Sequence, residues 1–145
     1  VRPASPFSWH ALSGRTGGIA FSSRQSRDVP GFDGTSRIRE WRDGKFQRTL
    51  TVTLRGKPLS RLNELEWIDG EIWANIWMTD QIGTVAPTAG RITRIIDLTN
   101  LLPKSERARN TDVLNGIAHD PKANATWVTG KRWPYMYRIE LLERK

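Results

Sequence analysis

The sequence predicts an all-β protein with the blades of a partial β-propeller, and three observations support this. Short alternations of apolar and polar residues fill the chain from residue 33 onward, with tryptophans among β-branched residues rather than at helical spacing. A pattern of about 50 residues also repeats, which is typical of propeller blades. Turn dipeptides that favour tight antiparallel hairpins separate the alternations. They are Asp33-Gly34, Asp43-Gly44 and Asp69-Gly70.

The repeat assigns the strands to blades. Residues 63–69 align with 115–120, and residues 72–77 align with 126–131, as the first and second strands of two units. The outer strands are predicted at 36–41, 46–52, 81–85, 91–98 and 135–141. A repeated four-stranded unit is a propeller blade, which buries its faces against its neighbours. We therefore expect about two and a half blades: the outer half of one (33–54), a whole blade (62–98) and three strands of another (113–142).

The N-terminal segment differs from the rest of the chain. Residues 1–31 are rich in Ser, Arg, Gly and Pro and lack periodicity apart from Phe7, Trp9 and the stretch 17–21. This composition predicts an irregular segment over 1–31, followed by the propeller blades over 32–145. No apolar signal core or membrane span is recognisable, so the sequence indicates neither a compartment nor a membrane partner.

Composition excludes several classes of site. The chain has no cysteine, and its two histidines, His10 and His119, are far apart in sequence, so we expect no disulfide and no thiolate zinc site. The net charge of +8 would suit nucleic acid, but the Arg and Lys residues are scattered in ones and twos. Nucleic acid is therefore the weakest of the partners considered.

The candidate site follows from the geometry of a propeller, whose innermost strands line the central channel. Asn63 and Asn115 begin the two innermost strands, and Trp77 and Lys131 occupy equivalent positions at the ends of the second strands. An apolar group at one of these positions and a cation at the other favour a pocket, because a core layer would hold apolar residues at both.

Other side chains in these strands have ordinary structural explanations. Trp67, Trp73 and Trp127 alternate with strand neighbours and are expected to pack in the core. Asn75 and Thr79 are expected to satisfy backbone groups at a strand end. Glu64 and Glu66 flank Leu65 and so are predicted to share one face. A solvated carboxylate is the ordinary reading of Glu64, and contact with a ligand is the alternative.

Three strings, 62–80, 113–120 and 128–134, resemble the plant and bacterial type of glutaminyl-peptide cyclotransferase. The resemblance covers about residues 33 to 145. It implies a five-bladed propeller that converts the N-terminal glutamine of a peptide into pyroglutamate and releases ammonia, without a catalytic metal or cofactor. Members of that family are often secreted or periplasmic.

The resemblance also implies residue roles. Lys131 and Asn63 match catalytic positions that orient the substrate and stabilise charge, and Trp77 matches an apolar wall of the substrate pocket. Asn63 also counts as a substrate-binding residue. Two further substrate-binding candidates do not come from the resemblance: Asn115, by its repeat equivalence to Asn63, and Glu64, for which ligand contact is the alternative to a solvated carboxylate. The implied partner is a peptide or protein that begins with glutamine.

Some family features have no counterpart. The glutamate thought to carry protons in the family lies in earlier blades, and residues 14–18 match poorly a family string that contains a tryptophan. We therefore expect a truncated, impaired cyclotransferase. The alternative is a non-catalytic propeller fragment that binds peptides or other blades. An unclosed propeller would also expose a blade face and a strand edge, which favours self-association.

Overall fold

The computed structural model describes residues 19–22 and 36–142, and within those ranges its regular elements are twelve strands and one short 3-10 helix. The first five strands are β1 (Ile19–Ser22), β2 (Arg37–Arg42), β3 (Lys45–Thr51), β4 (Thr53–Leu54) and β5 (Lys57–Pro58). The next four are β6 (Leu62–Ile68), β7 (Glu71–Ile76), β8 (Gln81–Val85) and β9 (Ile92–Asp97). The helix (Lys104–Glu106) precedes β10 (Leu114–Asp120), β11 (Ala125–Gly130) and β12 (Tyr137–Ile139).

The strands form antiparallel sheets in chain order, which confirms the prediction of an all-β partial propeller. We call β1-β2-β3 the first blade, β6-β7-β8-β9 the middle blade and β10-β11-β12 the last blade. A small β4-β5 hairpin connects the first blade to the middle one. The middle blade has four strands and the last blade three, as the repeat predicted.

Strand β1 was not expected, because it lies in the segment predicted to be irregular. It pairs with β2 from Ile19 opposite Arg42 to Ser22 opposite Arg39. Four residues give too short a pattern to indicate a strand alone, and the strand depends on pairing with a partner far along the chain. The remainder of the 1–31 segment and the predicted Asp33-Gly34 turn lie outside the described residues.

The two predicted hairpin turns within the described residues are confirmed. Asp43 and Gly44 have φ of 49° and 73°, and Asp69 and Gly70 have φ of 48° and 85°. Each pair forms a two-residue loop between directly paired strand ends. Positive φ at both positions is the type I′ geometry, which matches the natural twist of a hairpin.

The core lies between blades rather than within one sheet. One cluster of buried residues joins the first and middle blades: Ile38, Leu50, Val52, Leu62, Leu65, Ile72, Ala74 and Val85. A second joins the middle and last blades: Ile68, Trp73, Ile82, Ile96, Leu114, Ile117 and Val128. The predicted packing roles of Trp73, buried in the second cluster, and Trp67, packed against the first, are confirmed. Because it is covered on both faces, the middle blade is held fixed relative to its neighbours.

Candidate functional site

Both innermost strands are interrupted by a β-bulge close to their first residue. In β6, Asn63 lies opposite Asn75 and Leu65 opposite Ala74, so Glu64 is the extra residue of the bulge in the strand register, with φ of 37°. In β10 the register shifts at the equivalent place, between Leu114 and Ile117. Bulges re-aim side chains and are common beside active sites.

The bulge in β6 bears on the prediction that Glu64 and Glu66 share one face. Strict alternation would place Glu64 and Glu66 on one face, but the extra residue breaks the alternation between them. Glu66 faces the last blade, where its Oε1 accepts the His119 backbone N–H at 3.2 Å, whereas Glu64 occupies the bulge. The sequence did contain a signal for this. Both inner strands begin Leu-Asn-x-Leu or Leu-Asn-x-Ile, with apolar residues three apart instead of two.

The two repeat-equivalent asparagines meet across the blade interface. Asn63 Nδ2 donates a hydrogen bond to Asn115 Oδ1, and Asn63 is only 7% exposed. On the facing strand, the fully buried Asn75 accepts the Gly116 backbone N–H on its Oδ1 at 3.1 Å. The structure therefore brings together two of the predicted site residues and adds Asn75, which the sequence indicated only as a partner for backbone groups.

Asn75 also carries a cost in stability. Its Nδ2 is buried and has no hydrogen-bond partner among the described residues. A buried donor without a partner costs about 1–3 kcal/mol. The stabilisation from the Asn75 contact with Gly116 is therefore partly offset by the burial of this unpartnered Nδ2. The other predicted backbone partner, Thr79, behaves as expected: its Oγ1 donates to Ile76 O at 2.6 Å and accepts the Gln81 N–H at 3.1 Å.

Trp77 and Lys131 are anchored in the same way at the same end of their blades. The backbone N–H of Trp77 donates to the backbone carbonyl of Arg61 at 2.8 Å, and the backbone N–H of Lys131 donates to that of Val113 at 2.9 Å. Each bond ties the residue after the second strand to the residue before the innermost strand. The backbone thus confirms that the two positions are structurally equivalent. Trp77 is half-buried, and Lys131 is exposed.

A packed tryptophan fixes the backbone beside Lys131. The indole of Trp133 lies against Gly130, and its Nε1 donates to Asp112 O at 2.8 Å. The Asp112 N–H in turn donates to Lys131 O at 3.0 Å. The backbone N–H and C=O of Lys131 are therefore both hydrogen-bonded, so its side chain starts from a fixed backbone position. The sequence singled out this string for its lysine and missed the role of Trp133.

The described residues include no candidate metal cluster and no candidate membrane-spanning helix. No group of three or more histidine, aspartate or glutamate side chains there is arranged to hold a metal ion. Across the same part of the chain, no helix has the length and apolar character needed to cross a bilayer. The predicted roles of Lys131, Asn63, Trp77, Glu64 and Asn115 towards a substrate remain predictions.

Comparison with known proteins identifies the family. The sequence model of the family described as glutamine cyclotransferase matches residues 16–141, beginning inside the segment predicted to be irregular. The glutaminyl-peptide cyclotransferase of Arabidopsis thaliana is 40% identical over 116 residues, which cover 77% of this chain and 36% of that protein. The chain thus spans about a third of the length of this curated relative.

A solved structure agrees in fold. The crystal structure of the Myxococcus xanthus glutaminyl cyclase matches with a TM-score of 0.69 and 27% sequence identity, covering 94% of this chain and 56% of that one. The family match over most of the chain, the identity to the plant relative and the shared fold agree with one another. The chain belongs to the glutamine cyclotransferase family.

Proposed function

We propose that this protein acts on peptides that begin with glutamine, converting that residue to pyroglutamate with release of ammonia. The observation that carries the proposal is the cross-blade contact of Asn63 with Asn115, at the blade end where Trp77 and Lys131 are also anchored. This places amide donors, a cation and an aromatic surface at one end of two adjacent blades.

The reaction needs few groups. The α-amine nitrogen attacks the side-chain amide carbon and a carbon–nitrogen bond forms. The bond from that carbon to the side-chain nitrogen then breaks, and a proton from the attacking amine leaves with it as ammonia. Negative charge develops on the carbonyl oxygen in between, and preorganised donors in a water-poor site stabilise such charge.

The residues suit these requirements. The Lys131 ammonium is a donor with full positive charge, and the Asn63 amide has a second N–H besides the one bonded to Asn115. Trp77 offers a flat apolar wall that would hold the glutaminyl side chain folded towards its own amine. Lys131 and Asn63 are the proposed catalytic residues. Trp77 and Glu64 are the proposed substrate contacts.

Proton transfer is the step for which the family resemblance supplies no matched residue in this sequence. The resemblance implies a proton-carrying glutamate in earlier blades of the family fold, and general acid–base help is typically worth about 10²–10⁴ in rate. We therefore propose that the 145-residue polypeptide alone is an impaired enzyme that still recognises its substrate.

The test is ammonia and pyroglutamate formation from a glutamine-initiated peptide, with binding of the same peptide measured in parallel. Lys131→Ala and Trp77→Ala should each lower activity or binding at least tenfold. Lys122→Ala is the matched control, since Lys122 is also exposed but lies in the turn after the far end of β10. Activity and binding unchanged by both site variants would refute the proposal. Binding without any ammonia release would favour the peptide-binding alternative.

A further inference from the structure

The face of the middle blade that meets the last blade carries two buried amides side by side. Asn63 on β6 and Asn75 on β7 are directly paired across the two strands. Both reach the same point of the last blade, because Asn63 bonds the side chain of Asn115 and Asn75 bonds the backbone of the next residue, Gly116. The four residues form a closed set of contacts, which we call the amide clamp.

The Gly116 N–H shows what Asn75 contributes. Gly116 lies where the register of β10 shifts, between Leu114 and Ile117, so the regular ladder is interrupted there. A partly buried backbone donor outside the ladder is stabilised by a partner, and the Asn75 carbonyl provides it. Asn75 keeps an unpartnered Nδ2 while making this contact. A leucine at position 75 would be similar in size and would have no unpartnered N–H. The Gly116 N–H in the bulge would then lack its acceptor.

Fixing the bulge also fixes Asn115, the residue immediately before Gly116. Its Oδ1 accepts from Asn63 Nδ2, so a flipped Asn63 amide would bring two carbonyl oxygens together. While Asn115 presents its Oδ1 to this contact, the amide of Asn63 is held in one of its two orientations. One N–H is occupied by Asn115, while the second N–H and the Oδ1 keep fixed directions.

We propose that Asn115 and Asn75 are positioning residues: Asn115 orients the amide of Asn63 directly, and Asn75 does so by holding the bulge that carries Asn115. The part of this proposal that concerns catalysis rests on the proposed function of Asn63. It assigns to Asn115 a role in holding Asn63 in place of a direct contact with the substrate.

The test combines a readout of the Asn63 amide with one of the reaction. The side-chain amide protons of Asn63 are followed by NMR in the full chain, assigned by their loss in Asn63→Asp. Asn115→Leu removes the acceptor, so we expect these protons to shift and to exchange with water at least tenfold faster. Asn115→Asp keeps an acceptor oxygen and should preserve slow exchange. Asn110→Leu, at an exposed loop asparagine, is the control.

The kinetic arm uses a glutamine-initiated peptide. We expect Asn115→Leu to lower kcat about tenfold with little change in KM, as for the loss of one orienting hydrogen bond. Asn115→Asp should restore most of the rate near neutral pH. Asn75→Leu should also lower kcat and perturb the Asn63 amide, although Asn75 is too deeply buried to touch a substrate.

The outcomes separate this inference from the proposed function. If the Asn63 amide protons keep their chemical shift and slow exchange in Asn115→Leu, the inference is overturned. It is also overturned if these protons shift and exchange faster while kcat is unaltered. A rise in KM alone would also overturn it, because that result would make Asn115 a substrate contact. If the unmodified chain releases no ammonia at all, the proposed function fails, and the amide resonance still decides whether Asn115 orients Asn63.

Discussion

Replacing Gly130 by alanine should disturb the last blade through Trp133. A Cβ at position 130 would lie 2.6 Å from Trp133 Cδ1 and closer still to its Nε1 and Cε2. The Trp133 indole cannot easily move aside, because it packs against the second core cluster and donates its Nε1–H to Asp112 O. We expect the indole to be displaced and this hydrogen bond to be lost.

The magnitude follows from these two effects. Overpacking a core position typically costs about 1–3 kcal/mol. Loss of a hydrogen bond adds about 0.5–1.5 kcal/mol. The free energy of unfolding should therefore fall by about 2–4 kcal/mol. At roughly 4 °C per kcal/mol for a chain of this size, Tm should fall by roughly 8–16 °C, measured by circular dichroism.

A double-mutant cycle tests the reason as well as the size. If the cost comes from the indole, Gly130→Ala should be nearly harmless in a Trp133→Leu background, with a coupling energy of about 2–4 kcal/mol. Gly83→Ala is the matched control, since the nearest atom to its Cβ would be the flexible end of Ile92, at 2.8 Å, and the end of Ile76 would lie at an ordinary contact distance of 3.8 Å. Equal destabilisation by Gly130→Ala in both backgrounds would refute the explanation.

Three further predictions concern stability. Gly70→Ala, at φ of 85° in its hairpin turn, should lower the free energy of unfolding by about 1–2 kcal/mol in urea titrations, and no change would contradict the assigned turn geometry. Thr84→Val should cost about 1 kcal/mol by the same measurement, because the buried Thr84 hydroxyl bonds that of Thr93 at 2.6 Å, whereas Thr84→Ser should cost less. Burial, with a smaller contribution from the charge of Glu106, raises the pKa of Tyr137 above its ordinary value of about 10. The stability that this gives is fully present below the ordinary pKa and is lost as pH rises through the raised one, so Tyr137→Phe should flatten the alkaline loss of stability seen by fluorescence.

The sequence alone predicted most of the blade architecture, because the strands of each blade pair mainly with strands next to them in the sequence. Alternation and Asp-Gly turns are read within a few residues of one another, so the hairpins at Asp43 and Asp69 were predicted correctly. The repeat then aligned Asn63 with Asn115 and Trp77 with Lys131. It also supported the family resemblance that the comparisons confirmed.

Tertiary structure decided what depends on pairing between distant segments. Strand β1 forms only because β2 provides a partner for it. The bulge at Glu64 follows from how β6 registers with β7 and packs between two blades, so strict alternation does not describe this end of β6. The sequence therefore named Asn63 and Asn115 as equivalent positions, but only the docking of one blade on the next shows that their amides touch. That contact is a property of the interface between blades, and no local pattern in either strand encodes it.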